Sequence, residues 1–305
     1  MPFSHHSHSG QFCGHAKNTL EEMVQAAIDK GMTTFALTEH MPRDVEDLYP
    51  EEDTTAEGLV RLYDDFHAEA TRLRQKYASQ IRILIGFETE WIRPSSLPLI
   101  NTLLGKHDVD LFIGSVHHVH AIPIDFDHDM YYKARQKAGG SDERIFEQYF
   151  DSQYAMLQAL KPPVVGHFDL IRLKSDNPDR GFEQWPMVWS KILRNLELIA
   201  SYGGILELNS SALRKGMSEP YPQISICKTF LHMGGRFTLS DDSHGVEQVG
   251  LNYHRVLEAV RRAGISEIYV LTHEEKTVDC RFPGISAVPM SIEELERHRF
   301  WSIKT

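Results

Sequence analysis

Side chains that bind metal ions stand at the ends of several apolar stretches of this sequence. His6 and His8 lie two positions apart at its start, and alternation along a strand would point both to one face. Further residues of the same kind each follow an apolar stretch: His40, Glu88, His117, His167, Asp242 and His244. Imidazole and carboxylate without thiolate suit zinc, iron or manganese. The pattern therefore predicts a metal site assembled from distant parts of the chain.

The alternative for any one of these residues is a structural role, and a lone histidine after a strand more often has that role. For the pair His6 and His8 alone, the two interpretations are about equally good. The same placement after six separate stretches favours the metal site, because the same coincidence would otherwise have to occur six times. Eight ligands exceed what one ion can use, so we expect two or three ions that share a carboxylate.

The apolar stretches are rich in β-branched and aliphatic residues and are predicted to be buried strands. An initial strand is predicted at about residues 2–8, and seven more follow: Thr34–Thr38, Ile81–Thr89, Asp110–Val116, Pro163–Gly166, Gly204–Leu208, Arg236–Leu239 and Glu267–Leu271. Amphipathic helices are predicted between them, at 19–31, 56–78, 143–160, 187–202, 222–233 and 252–263. Alternating strands and helices indicate parallel βα units.

Seven or eight βα units in one chain of 305 residues favour a closed or nearly closed barrel, with a doubly wound open sheet as the alternative. The carboxyl ends of all parallel strands open on one face of a barrel, which would bring the histidines together. We expect a single domain over residues 1–305. Two long surface loops, Met41–Thr55 and His120–Ser141, are expected over one end of the barrel.

Composition excludes several classes of protein. The net charge of −11 argues against a nucleic-acid partner, which requires a basic surface. No apolar run is long enough to span a bilayer, and the first residues lack the features of a signal peptide, so a cytoplasmic location is expected. Cys13, Cys227 and Cys280 form no CxxC pair, which argues against disulfides and a thiolate zinc site. Cys13 is expected to be structural.

Three cations follow strand ends in this acidic chain and could bind an anion. Arg172 comes five residues after His167, and Arg214 with Lys215 follows the strand that ends near residue 209. Arginine suits bidentate phosphate contacts, so Arg172 and Arg214 are predicted to bind phosphate, with Lys215 assisting. The alternative for each is an ordinary surface cation. Asp169 is a candidate for protonating the leaving alkoxide or for orienting a ligand.

Taken together, these motifs resemble the PHP family, which is named after polymerases and histidinol phosphatases. The resemblance covers about residues 4 to 250 and rests on these segments: His6-Ser7-His8, Thr38-Glu39-His40, Gly86-Phe87-Glu88, Gly114-Ser115-Val116-His117, Gly166-His167-Phe168-Asp169 and Ser240-Asp241-Asp242-Ser243-His244. Three further segments resemble the histidinol-phosphatase branch: Cys13–Ala16, Gly166–Arg172 and Glu207–Lys215. The overall size of the chain resembles that of the stand-alone fungal type.

This resemblance implies a distorted (β/α)7 TIM-like barrel that holds three divalent metal ions. It implies His6, His8, Glu88 and Asp242 at the first ion, His15, His40 and His244 at the second, and Glu88, His117 and His167 at the third. The implied activity is hydrolysis of L-histidinol phosphate to L-histidinol and phosphate in histidine biosynthesis. The amine and imidazole of that substrate need acidic or aromatic partners, for which position suggests Glu39, Glu90 and Trp91.

Other functions remain open at this point. A phosphodiesterase or a phosphomonoesterase with another substrate would use the same metal site, although a nuclease would need a basic groove. A barrel amidohydrolase would be expected to carry a lysine that bridges two ions, and no strand-end lysine stands out. A binding module without catalysis would have lost some ligand positions, whereas all are filled here. A homo-oligomer is possible.

Overall fold

The centre of the molecule is a seven-stranded parallel sheet whose strands neighbour one another in chain order. The computed structural model describes residues 2–49, 52–273 and 285–302. The strands of the sheet are β1 (Phe3–Ser4), β2 (Thr34–Leu37), β3 (Arg82–Glu88), β4 (Leu111–Gly114), β7 (Val164–Val165), β8 (Ile205–Asn209) and β9 (Arg236–Ser240). All six pairings between neighbours in this order are parallel.

The first and last strands of this sheet meet and close it into a barrel. The His5 N–H donates to the Leu239 carbonyl at 3.2 Å, and beyond the strands the Asp242 N–H donates to the His6 carbonyl at 3.1 Å. The His8 N–H donates to the Ser243 carbonyl at 2.8 Å in the same seam. The prediction of a seven-stranded barrel is confirmed, and the doubly wound alternative was wrong.

Helices cover the outside of the barrel and connect successive strands. They are α1 (Leu20–Asp29), α2 (Ala56–Lys76), α3 (Ser96–Lys106), α4 (His128–Lys137), α5 (Asp142–Leu160), α6 (Pro186–Ser201), α7 (Ser211–Arg214), α8 (Ile224–His232), α9 (Tyr253–Ala263) and α10 (Ile292–Glu296). Thr19 begins α1 with a capping box, in which Thr19 and Glu22 satisfy each other's backbone N–H groups. Among the described residues, no helix is long and apolar enough to cross a bilayer.

The strand predicted at Glu267–Leu271 is not part of the barrel. It is β10 (Glu267–Thr272), which pairs antiparallel with β11 (Ser286–Ser291). Leu271 of this hairpin packs into the apolar cluster formed by barrel residues that include Leu84 and Ile113. The hairpin therefore covers one end of the barrel core, where apolar side chains would otherwise face water.

The loop predicted at His120–Ser141 is largely structured. It contains β6 (Ile122–Pro123), which pairs antiparallel with β5 (His118–Val119), and it contains all of α4. Helix α3 was also missed. The other predicted loop, Met41–Thr55, has one short 3-10 helix at Val45–Asp47 in its described part. Cys280 lies outside the described residues.

Candidate metal centre

Glu88, the last residue of β3, occupies the centre of the histidine cluster. The residue is 1% exposed. Oε1 lies 2.8 Å from His167 Nε2 and 3.2 Å from His117 Nε2. Oε2 lies 3.1 Å from His40 Nδ1 and 3.3 Å from His6 Nε2. One carboxylate thus faces imidazoles from four different strand ends, as a bridging ligand would.

The His-x-His pair after β1 contributes to the same centre from one face of the chain. His6 Nε2 and His8 Nε2 lie 3.8 and 3.6 Å from Asp242 Oδ1. Asp242 has a φ of 49°, a left-handed conformation that aspartate tolerates better than most residues. His5 points away and contacts Thr238 Oγ1 at 2.6 Å. Alternation along the chain therefore points His6 and His8 to the same side, as predicted, and His5 to the other.

A second group of histidines lies beside the first. The rings of His15 and His244 are stacked with centroids 5.0 Å apart, and His15 lies 5.4 Å from His40. The Sγ atom of Cys13 lies 3.3 Å from His15 Nε2. Ligand atoms of Cys13, His8, His40 and His244 also lie within 4.8 Å of one another, so this thiol borders the predicted second ion site.

The donor atoms in this cluster fit divalent metal ions. Several buried imidazole nitrogens have no hydrogen-bond partner among the described residues: His6 Nε2, both nitrogens of His8 and His40, and Nδ1 of His167. A buried polar atom without a partner costs free energy, so such a group calls for a ligand. Histidine and carboxylate atoms that lie within 4.8 Å of one another, several of them without a hydrogen bond, are what a metal ion would satisfy.

The electrostatics of the cluster show how closely its charges are coupled. Burial lowers the pKa of His8, but the carboxylates of Glu39 and Glu88, 3.5 and 3.4 Å from its ring nitrogens, outweigh burial and raise it to about 9. Burial and the charge of His8 lower the pKa of His40 to about 3. Although burial works against ionisation, the charges of His6 and His117 hold the pKa of Glu88 well below its usual range. Without metal, protons on selected imidazoles balance the buried carboxylates.

Comparison with known proteins assigns this arrangement to a family. The PHP domain model matches residues 4–211. A Schizosaccharomyces pombe protein named "Probable histidinol-phosphatase" is 48% identical over 274 residues, which cover 89% of this chain and 90% of that protein. The histidinol-phosphatase of Saccharomyces cerevisiae is 35% identical over 288 residues, covering 83% of this chain and 86% of that enzyme. The chain belongs to the histidinol-phosphatase branch of the PHP family.

Solved structures agree with this PHP fold. A histidinol phosphate phosphatase from Lactococcus lactis, in complex with zinc, L-histidinol and phosphate, has a TM-score of 0.69 at 22% identity, covering 88% of this chain and 95% of that one. A structure from Listeria monocytogenes has a TM-score of 0.73 at 24% identity, covering 83% of this chain and 99% of that one. These two likenesses establish the nearly closed parallel barrel.

A carboxylate that the sequence analysis missed, Glu207, fixes two of the predicted ligands in this PHP barrel. Its Oε2 lies 3.0 Å from His6 Nδ1, and its Oε1 accepts from the His167 N–H at 2.6 Å. Asn209 and Ser240 donate to the same carboxylate, each at 2.7 Å. The available signal was a lone acidic residue inside the aliphatic strand Ile205–Asn209.

Glu39 and Glu90 also contact histidines of the candidate metal centre in this PHP barrel and do not face the cavity. Glu90 is 1% exposed, and its Oε2 lies 3.0 Å from His117 Nδ1 while its Oε1 lies 3.2 Å from His40 Nδ1. Glu39 Oε2 lies 3.5 Å from His8 Nδ1. Such partners fix the ring orientation of metal-binding histidines. These positions do not support the predicted substrate contacts of Glu39 and Glu90. Trp91 is 2% exposed and is not among the described residues that line the cavity.

Arg172 has a structural role in this PHP chain and is not placed to bind phosphate. It is 1% exposed, and its Nε donates to Asp169 Oδ2 at 2.9 Å. Its Nη atoms donate to the carbonyls of Pro178, Glu219 and Pro220 at 3.2, 3.1 and 2.7 Å. Because the guanidinium is buried and donates to the loops that it joins, the structure does not support the predicted phosphate contact.

Asp169 is buried together with Arg172. Its Oδ2 also accepts from the Gln223 N–H at 3.0 Å, and the residue is fully buried. Burial raises the pKa of this carboxyl group, although Arg172 opposes the shift. Neither residue is among the described residues that line the cavity over the metal centre. The structure therefore does not support Asp169 as the acid for the leaving group.

Arg214 and Lys215, the other two predicted phosphate-binding residues, border the cavity. They follow β8 and line a cavity of about 350 Å³ together with His15, His40, Glu88, His117, His167, Asp242 and His244. An Nη atom of Arg214 donates to the Asp242 carbonyl at 3.1 Å, which holds the guanidinium beside the metal centre. Tyr49, Asp125 and Phe126, which the sequence analysis did not single out, line the same cavity.

Proposed function

We propose that this chain is a metal-dependent histidinol-phosphatase that hydrolyses L-histidinol phosphate to L-histidinol and phosphate. The observation that carries this proposal is the convergence of imidazoles and carboxylates around Glu88 at the base of a cavity that Arg214 and Lys215 also line. Such a site places metal ligands and cationic side chains around one space, where both could bind the same anion. A phosphate monoester has the charge that both groups would bind.

Nine residues would hold the ions, in the grouping that the family resemblance implies. They are His6, His8, Glu88 and Asp242 for the first ion, His15, His40 and His244 for the second, and Glu88, His117 and His167 for the third. When bound, divalent ions lower the pKa of water and neutralise charge on the phosphoryl group. Three ions, and zinc, iron or manganese as their identity, are part of this proposal.

The protein's own groups would perform the remaining tasks. Arg214 and Lys215 would bind the phosphoryl oxygens and offset charge that builds up during transfer to water. Glu90 and Glu207 would keep the Nδ1 protons of His117 and His6, which leaves Nε2 of each ring free to bind metal. The catalytic positions are thereby fixed before substrate binds.

The substrate assignment is supported by the relatives. The Lactococcus lactis structure contains zinc, L-histidinol and phosphate, and the fungal relatives are named as histidinol-phosphatases. A small-molecule phosphate ester as the substrate agrees with the cavity volume of about 350 Å³. The single domain, the cytoplasmic location, the lack of nucleic-acid and membrane partners and a homo-oligomeric state remain predictions.

The test is steady-state phosphate release by metal-analysed enzyme from L-histidinol phosphate, p-nitrophenyl phosphate and a bis-ester. We expect kcat/KM to be highest for L-histidinol phosphate and to be abolished by chelation. If the bis-ester or a different monoester is preferred, the alternative holds: a PHP phosphodiesterase or phosphomonoesterase with another substrate.

A further inference from the structure

One carboxylate in the cavity has no assigned partner. Asp125 lines the cavity with Glu88 and Asp242, but those two belong to the metal centre. The Oδ1 atom of Asp125 is buried and has no hydrogen-bond partner among the described residues. A buried carboxylate oxygen without a donor is costly, so this atom is expected to receive one from a bound ligand.

The chain on both sides of Asp125 is fixed. Ile124 is fully buried, and its N–H donates to the carbonyl of His117, a predicted metal ligand, at 2.9 Å. Asp127 caps the start of α4 by accepting from the Met130 N–H at 2.7 Å. Asp125 is therefore held at a constant position relative to the metal centre, as a residue that selects a substrate must be.

The aromatic residues near Asp125 form a flat surface in the same cavity. The rings of Tyr49 and Phe126 are stacked, with centroids 5.9 Å apart and an angle of 23°. The guanidinium carbon of Arg43 lies over the Tyr49 ring, 4.8 Å from its centroid, which helps to hold that ring in place. Phe126 stacks on Tyr49 and is still 39% exposed, which leaves apolar ring surface available to a ligand.

The cavity therefore has charges of opposite sign on different strand ends. Arg214 and Lys215 follow β8, whereas Asp125 and Phe126 follow β6, in the connection that leaves β4. Strand β7 lies between β4 and β8 in the sheet. A ligand whose phosphate contacts the β8 side would extend toward a carboxylate and an aromatic surface on the β4 side.

We propose that Asp125 binds the primary ammonium group of the substrate, and that Tyr49 and Phe126 contact its planar ring. This rests on the proposed function and specifies its substrate class: phosphate monoesters of amino alcohols that carry a flat ring. An ammonium supplies both the donor that Oδ1 lacks and a charge opposite to that of the carboxylate. Asp125 is then a specificity residue that sits apart from the metal ligands.

The experiment compares two esters and two variants of the metal-loaded enzyme. The esters are L-histidinol phosphate and 3-(imidazol-4-yl)propyl phosphate, which differ only in the amine. The variants are Asp125→Asn and, as a matched control, Asp129→Asn, which removes the same charge at an exposed position of α4. Metal content and thermal unfolding are measured for each variant, and Asp125→Ala serves as a second variant if Asp125→Asn does not fold.

We expect Asp125→Asn to lower kcat/KM for L-histidinol phosphate about 10- to 100-fold more than for the ester without the amine. Asp129→Asn is expected to leave the ratio of the two esters unchanged. An equal loss on both esters by a folded, metal-loaded variant overturns the inference, as does a wild-type enzyme that does not discriminate between them. If the wild-type enzyme hydrolyses p-nitrophenyl phosphate but not L-histidinol phosphate, the proposed function itself has failed.

Discussion

Replacing Glu207 by glutamine tests whether this carboxylate fixes the metal-binding histidines. Its Oε1 accepts from the His167 N–H and from Asn209, and its Oε2 faces His6 Nδ1 and Ser240 Oγ. A glutamine must put an NH2 group at one of these places. At the position of Oε1 the NH2 group would face two other donors, the His167 N–H and Asn209, and could bond to neither. The NH2 group is therefore expected to face His6 and Ser240.

That arrangement changes the tautomer of His6. A carboxylate only accepts hydrogen bonds, so it keeps the proton of His6 on Nδ1 and leaves Nε2 free for a metal ion. Opposite an NH2 group, Nδ1 must accept, and the proton moves to Nε2, which faces Glu88 and Asp242. The first ion would then lose a ligand, although the side chain of Glu207 never contacts it.

The expected loss is roughly 10- to 100-fold in affinity for one metal ion, about 1.4 to 2.8 kcal/mol. Chelator competition with metal analysis measures it, and Glu197→Gln, at an exposed position of α6, is the matched control. An Asn209→Ala variant should have a smaller effect because it removes one donor and leaves the carboxylate. If Glu207→Gln binds all its metal with wild-type affinity, the tautomer argument is refuted.

Three further predictions concern the two arginines and the metal-free protein. Arg214→Gln should lower kcat/KM for phosphate esters about 10- to 100-fold at unchanged metal content, since it removes a charge-assisted contact; Arg61→Gln on the exposed side of α2 is the control in the same assay. Arg172→Gln should instead lower the free energy of unfolding by about 3 to 5 kcal/mol, because it leaves Asp169 unpaired in the core, and denaturant unfolding measures this. In the metal-free protein the pKa of His8 is raised from 6.5 to about 9. Protonated His8 therefore adds at most about 3 kcal/mol to the free energy of unfolding. This contribution is complete below pH 6.5 and is lost as pH rises through 9. Unfolding of chelator-treated protein at pH 6 and pH 9.5 tests this, and equal stability at both values would contradict it.

The parts of the fold that the sequence predicted are those with local signals. Apolar strands alternate with amphipathic helices, and a parallel barrel brings every strand end to one face. His40 and Glu88 could therefore be placed in one site although their side chains belong to different strands. The capping box at Thr19 is a similarly local signal, and the structure contains it.

The parts that were missed depend on contacts between distant segments. Strand β10 has the composition of a barrel strand, but its partner β11 comes from a later segment with a proline at position 289. Arg172 follows a ligand motif closely, yet only the structure shows that its guanidinium donates to the carbonyls of a distant loop. Asp125 gave no sequence signal because its importance lies in an absent hydrogen bond, which no local pattern encodes.

The carboxylates around the metal centre serve two purposes that cannot be separated. Glu39, Glu90 and Glu207 orient imidazoles, and together with Glu88 and Asp242 they concentrate negative charge in a buried space. Without metal, that charge is balanced by protons, since carboxylates raise the pKa values of His6, His8 and His117 against the effect of burial. Metal ions must displace these protons in order to bind. Each carboxylate acts on more than one imidazole or contributes to the shared negative charge. Losing any one of them should therefore weaken the binding of more than one metal ion.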